Sequence, residues 1–212
     1  EDVDLEKGVA HFTDEVSGEP FHVSADAIYG TDGAFSAVRG RMQKTDRFDY
    51  SQQYLGHGYK ELVIPANDDG SYRIEKNALH IWPRGKYMLI ALPNLDGSFT
   101  VTLFFPYEGD PSFSSLDSWD KVKDFFDEQF SDAVPLMPNL ENDYYDNPTS
   151  SLVTVRCFPW NYKDNVLLMG DASHAIVPFY GQGMNSGFED CYEWWHMMEK
   201  YNDNETEVFP NF

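Results

Sequence analysis

Between Gln53 and Phe105 the apolar residues recur at every second position, and from Leu116 to Phe130 they recur at helical spacing. A chain that changes period in this way folds as a sheet with a helix laid over it. Only a strand alternates its faces, and only a helix gathers positions three and four apart. Within the first stretch, Ala78–Trp82, Tyr87–Leu92 and Ser98–Phe105 read as strands. The turns between them, Pro83-Arg84-Gly85-Lys86 and Asn94-Leu95-Asp96-Gly97, are of hairpin length, so an antiparallel meander is expected. Alternation puts Met88, Ile90 and Leu92 on one face, and Thr100, Thr102 and Phe104 on one face of the next strand. In the helix, Trp119, Val122, Phe126 and Phe130 share a side opposite Asp120, Lys123, Asp124 and Asp127.

The flanking segments are shorter. Val9–Thr13, Pro20–Val23 and Ala27–Tyr29 read as strands, and Ser36–Met42 as a short helix. Residues 135 to 149 hold three prolines among Asn and Asp, so a loop is expected there. Leu152–Cys157 and Val166–Met169 are expected strands, the second wholly apolar and therefore central. A helix runs from about Gly183 to Lys200, and the polar tail after it reads as frayed.

The chain of 212 residues is 42% hydrophobic and 16% aromatic, enough for a sizeable core. Its net charge of −21 opposes a nucleic-acid surface, which needs Lys and Arg to displace counterions, and opposes adhesion to anionic lipid. Cys157 and Cys191 form no C-x-x-C pair and no disulfide framework. No apolar run reaches the ~18 residues of a membrane helix. The opening EDVDLEKG is acidic, unlike a secretory or mitochondrial leader.

The segment Leu167 to Cys191, LLMGDASHAIVPFYGQGMNSGFEDC, carries the chemistry. Strand followed by Gly170-Asp171 places a carboxylate at the end of a buried strand, where ligands sit in open α/β sheets. Such a carboxylate can accept hydrogen bonds from sugar hydroxyls. Gly181 and Gly183 then let the backbone approach a flat ring closely, and a helix start stabilises negative charge on that ring. His174 beside Asp171 has no second His or Cys at ligand spacing, so no metal is expected.

Gly170-Asp171-Ala172-Ser173-His174, then Pro178 and Gly181-Gln182-Gly183-Met184-Asn185, resembles the second flavin signature of the single-component FAD-dependent aromatic hydroxylases. Tyr29-Gly30-Thr31-Asp32-Gly33-Ala34-Phe35-Ser36-Ala37-Val38-Arg39 looks like that family's Asp-Gly signature, and the two stand in the family's order. Within it, Tyr50–Tyr54, His57–Leu62, Asn77–Arg84, Ile90–Phe105 and Ala175–Asn185 are similar to the kynurenine 3-monooxygenases. The likeness extends from about Ala25 to Asp190.

The resemblance implies a mixed α/β fold, part of a hydroxybenzoate-hydroxylase-like FAD-binding fold with an antiparallel substrate-domain sheet. Residues 1–45 and 151–200 would belong to the FAD-binding domain, 46–150 to the substrate sheet with its covering helix, and 201–212 to the tail. It implies FAD contacts at Asp32, Gly33, Asp171, Pro178, Gly181, Gln182, Gly183, Met184 and Asn185. It implies a substrate pocket of Leu79, Met88, Ile90, Leu92, Thr100, Thr102 and Phe104, with Pro178, Phe179, Tyr180 and Gln182 on the flavin side. The implied activity is hydroxylation of L-kynurenine with NADPH and O₂ through a flavin C4a-hydroperoxide, in tryptophan degradation. The substrate's own amine activates its ring, so no catalytic side chain is expected; the protein orients the ring and excludes water. The implied location is the cytosolic face of the mitochondrial outer membrane, through a C-terminal anchor outside this sequence.

The departures are specific. No Gly-x-Gly-x-x-Gly follows a strand; Gly181, Gly183 and Gly187 have the wrong spacing. The family's substrate-carboxylate Arg and Tyr lie before the segment represented here. The sequence thus reads as the middle of such an enzyme, expected to bind FAD weakly and turn over nothing by itself. Ser173 and Tyr180 replace more usual residues. Alternatives from the same residues are a sister hydroxylase with another aromatic substrate, or a non-catalytic acidic binding module.

Overall fold

The computed structural model describes residues 2–212. In chain order the strands are β1 (Asp2–Asp4), β2 (Val9–Thr13), β3 (Pro20–Ser24), β4 (Ile28–Gly30), β5 (Asp49–Ile64), β6 (His80–Pro83), β7 (Met88–Pro93), β8 (Phe99–Pro106), β9 (Ser150–Phe158), β10 (Asn161–Tyr162) and β11 (Val166–Leu168). The helices are α1 (Ala37–Met42), α2 (Trp119–Gln129), α3 (Leu140–Asp146), α4 (Asp171–His174), α5 (Gly183–Lys200) and α6 (Glu205–Val208). The chain divides into two compact units, residues 1–54 with 153–212, and residues 55–152.

The first unit holds two small sheets. One is the antiparallel β1-β2-β3 ribbon; the other has the order β10-β11-β4, with β11 in the middle. There Val166, Leu167 and Leu168 pair in parallel with Ile28, Tyr29 and Gly30. A central strand with both faces covered has no reason to alternate, which is why Val166–Met169 reads as an unbroken apolar run.

The second unit contains the expected meander β6-β7-β8, with the later part of β5 paired to β8. Leu62, Ile64, Leu89, Ala91, Val101 and Leu103 project to one face and are fully buried against α2. From α2, Val122, Phe125, Phe126 and the following Phe130 fill the space, the ring of Phe125 lying 4.9 Å from that of Phe105. Each such buried side chain contributes about 1.5–3 kcal/mol of transfer free energy.

Two expectations give way. The proline-rich stretch 135–149 contains α3, because Leu140–Asp146 lies in the interval between Pro138 and Pro148, where no proline blocks a helix. Leu140 and Tyr144, four apart, pack that helix into the α2 core. The tail is not frayed. It forms α6 and a following 3₁₀ turn that bury Val208 and Phe209 beside Leu167 and Met169. No helix among the described residues is long and apolar enough to cross a membrane.

Candidate functional site

The chain leaves β11 at Met169 and turns at Gly170, whose φ of +61° with ψ of −144° is a conformation suited only to glycine. That turn delivers Asp171 with its side chain exposed. Asp190 of α5, itself buried, accepts the Gly170 N–H through Oδ2 at 2.6 Å. The same carboxylate lies 2.8 and 2.9 Å from His174 Nε2, and Ser186 Oγ is 3.4 Å from His174 Nδ1. Gly187, one turn earlier than Asp190, packs on the turn; a Cβ there would lie 3.8 Å from the Gly170 Cα. The helix is thereby fastened to the strand end at two levels. His174 pairs with Asp190 and not with the nearer Asp171, a contact that the sequence hides because the two are 16 residues apart.

The Asp-Gly segment is braced differently. The Asp32 carboxylate accepts Ser36 Oγ at 2.5 Å, the Ala37 N–H at 2.7 Å and the Val38 N–H at 3.3 Å, so it anchors the start of α1. Arg39, 2% exposed, donates from Nη1 to the Ala172 carbonyl at 2.8 Å and from Nη2 to the Ala34 carbonyl at 2.5 Å. One guanidinium therefore ties the two signature segments together by their backbones. Cys157 lies beneath, its Sγ 3.2 Å from the Ser173 carbonyl. Burial pushes its thiol up to about 11, against a smaller downward pull from Arg39.

Between the segments lies a cavity of about 450 Å³ lined by Thr31, Gly33, Met169, Gly170, Asp171, Gly183, Met184, Gly187, Phe188 and Cys191. Its size is that of a small-molecule site. Of the expected cofactor residues it gathers Gly33, Asp171, Gly183 and Met184. Asp32, Pro178, Gly181, Gln182 and Asn185 are not in its lining. Pro178–Tyr180 form a 3₁₀ turn closed by Gly181, left-handed at φ +62°, and Tyr180 projects into solvent. Gln182 and Asn185 bond to each other across 3.0 Å. No side chain caps the start of α5, leaving its first N–H groups without intrahelical partners. Gly187, Phe188 and Cys191 were not anticipated in the site; their signal is helical spacing, three to eight residues on from Gly183 and Met184.

These residues fit a flavin dinucleotide. The walls near Asp171 are glycine, the carboxylate faces the cavity without a protein hydrogen-bond partner among the described residues, and the open helix start favours negative charge.

Of the predicted substrate residues, Leu79, Met88, Ile90, Leu92, Thr100, Thr102 and Phe104 lie in the other unit, whereas Pro178, Phe179, Tyr180 and Gln182 lie in the first. Cross-strand register pairs Met88 with Phe104, Ile90 with Thr102, and Leu92 with Thr100. Ile81 of β6 stands opposite Ile90 and shares their face. This face is the reverse of the α2-covered core. Leu92 and Leu79 remain exposed on that unit, whereas Ile90 and Phe104 are buried.

Residues 2–207 match the profile of a family described as FAD binding domain. The chain belongs to that family. A kynurenine 3-monooxygenase of Flavobacterium psychrophilum is 56% identical over 211 residues, covering 100% of this chain and 47% of that protein. One from Dictyostelium discoideum is 62% identical over 177 residues, 84% of this chain and 38% of the relative. The chain thus spans about half the length of the curated relatives it matches. Among solved structures, 2-methyl-3-hydroxypyridine-5-carboxylic acid oxygenase superposes with a TM-score of 0.71 at 21% identity, over 99% of this chain and 53% of that one. Tetracycline destructase Tet(51) gives 0.61 at 19%, over 100% and 55%. These likenesses show the shared fold of FAD binding domain proteins.

Proposed function

We propose that the full-length protein containing this chain is a flavin-dependent monooxygenase that converts L-kynurenine, NADPH, H⁺ and O₂ into 3-hydroxykynurenine, NADP⁺ and water. The single observation that carries this is the cavity in which Gly33 of the first signature meets Asp171, Gly183 and Met184 of the second. The relatives named kynurenine 3-monooxygenase support the choice of substrate.

FAD, when bound, supplies the electron transfer from NADPH and the activation of oxygen. The remaining work belongs to the chain. Asp171 accepts hydrogen bonds from sugar-type hydroxyls, and the open N–H groups of α5 favour negative charge on the ring system near them. Arg39 holds the two signature segments together, and Asp190 holds the Gly170 turn against α5. The apolar face of β7 and β8 takes a flat aromatic ring, orients it and keeps water from it. With the substrate's amine activating its own ring, no side chain has to act as a nucleophile.

The test is NADPH oxidation by the purified full-length protein. L-kynurenine should accelerate it and yield 3-hydroxykynurenine, and phenolic acids should not. A preparation that carries no flavin, or that responds to a phenolic acid instead, sinks the assignment.

A further inference from the structure

In a protein of net charge −21 with 15 Lys and Arg residues, Arg39, Arg41, Lys44 and Arg47 fall within one short stretch, opposed there only by Asp46. Arg39 is buried and donates to two carbonyls, and Arg41 lies 3.7 Å from the Asp2 carboxylate. Lys44 and Arg47 are exposed and, among the described residues, make no hydrogen bond and no ion pair. Arg47 also holds φ at +62°, in the left-handed region. Glycine or asparagine would take that turn more easily, because a Cβ there crowds the following carbonyl. An unpartnered Arg kept in a strained turn points to a role outside folding.

The next residues form a second cavity, of about 340 Å³, lined by Asp49, Tyr50, Ser51, Arg156, Cys157 and Phe158. The first three open β5, and the others end β9, its neighbour in the sheet. Two residues of chain span at most about 7 Å, so Arg47 stands at the rim beside Asp49. Arg156 and Phe158, two apart on β9, project from one face. The Arg156 guanidinium has no hydrogen bond or ion pair among the described residues, Asp49 included, and Phe158 is 68% exposed. This cavity shares no lining residue with the flavin cavity. The two meet through Cys157, whose thiol lies against the Ser173 carbonyl of α4, two residues on from Asp171.

Two free guanidinium groups beside an exposed ring are the chemistry of a nucleotide phosphate site. Each planar fork takes phosphate oxygens in pairs, and a purine stacks on the ring. A polyanion approaching a surface of this net charge is repelled, and a local group of cations offsets the repulsion where it docks. Of the three reactants in the proposed reaction, only the reduced dinucleotide carries phosphates.

We propose that Arg47 and Arg156 bind the phosphate groups of NADPH, with its adenine stacked on Phe158, at a docking site separate from the flavin cavity. This rests on the monooxygenase assignment above.

The experiment uses the full-length flavin-loaded protein. Adenosine 2′,5′-bisphosphate, the phosphate-bearing end of NADPH, is titrated calorimetrically, and NADPH oxidation is followed separately. Arg47→Gly and Arg156→Gln should each raise the Kd for the bisphosphate and the KM for NADPH at least about tenfold. Arg47→Gly also relieves the turn, so its Tm should not fall. FAD content and the Kd for L-kynurenine, read from flavin absorbance, should stay at wild-type values in both, and Arg47→Lys should recover part of the affinity. Bisphosphate binding that is unchanged in both variants, that inorganic phosphate displaces equally well, or that is lost only together with FAD overturns the site. A wild-type enzyme that does not oxidise NADPH in the presence of L-kynurenine removes the underlying activity too, a result distinguishable because it appears before any substitution is made.

Discussion

Asp190 holds the backbone of Gly170: its Oδ2 accepts the glycine N–H at 2.6 Å from 20 residues away, while both oxygens face His174 Nε2. The carboxylate thus sets the direction in which the next residue, Asp171, leaves the strand. Asp190→Ala would strand a buried N–H and an imidazole, at a cost of about 3–5 kcal/mol as for other broken buried pairs. Asp190→Asn keeps the shape and one acceptor. It should lose less stability, yet weaken FAD by about tenfold, because a neutral amide holds the turn less firmly. Thermal denaturation with flavin fluorescence titration of the full-length protein checks both. Unchanged flavin affinity in both variants would show that the clamp has no bearing on the site.

The two cysteines should separate by reactivity. Cys157 has its thiol pushed up to about 11, so at pH 8 only about one molecule in a thousand carries the reactive thiolate, against roughly a quarter for an ordinary thiol. Cys191 is exposed and lines the cavity with Asp171. A thiol reagent at pH 8 should label one cysteine in the native protein and two after unfolding, and saturating FAD should slow the first. The Cys157 shift also has a stability sign. The folded state holds that proton more tightly, so the contribution is complete below about 9 and is lost as pH rises through about 11. Urea midpoints measured across that window should fall more for wild type than for Cys157→Ala.

Phe209 carries the tail. It is 1% exposed, its ring 5.2 Å from that of Tyr29, and the Tyr29 hydroxyl donates to Glu205. Burial, with the neighbouring Glu205 carboxylate, holds the Tyr29 hydroxyl well above the usual phenol range. Phe209→Ala should cost about 3–5 kcal/mol, as a large buried aromatic does. A fall in Tm too small to measure would return the tail to the frayed state that its sequence suggests.

Where residues repeat with one period, the fold was legible. β7, β8 and α2 carry long uniform patterns, and the paired rows Met88–Phe104, Ile90–Thr102 and Leu92–Thr100 follow from counting by two. The site was legible where consecutive residues make it: Gly170-Asp171 and Gly183-Met184 both line the cavity. What escaped was held by distant or solitary residues. Arg39 reaches the Ala172 carbonyl across 133 positions, and Asp190 reaches Gly170 across 20. Val208, Phe209 and Phe212 are three apolar residues in a polar tail, too few to set a period. α3 was hidden because prolines on both sides suggest a loop while saying nothing about the residues between them.

Neighbouring positions on β7 give the sharpest contrast. Ala91 is 0% exposed and faces the α2 core; Leu92 is 45% exposed and faces the row of Thr100. Strand alternation alone separates them. Ala91→Arg forces a guanidinium into a filled apolar layer and should leave the protein unfolded or aggregated, since an unpaired buried charge costs several kcal/mol. Leu92→Arg places the same side chain on the opposite face. It should shift stability by no more than about 0.5 kcal/mol, as exposed substitutions do, and leave FAD bound. Turnover of L-kynurenine should nevertheless disappear, because bulk and charge then occupy the surface that the proposed function gives to the ring. Circular dichroism, flavin absorbance and kynurenine-stimulated NADPH oxidation measured on both variants decide it. If Leu92→Arg turns over normally, the face of β7 and β8 is not where the substrate binds.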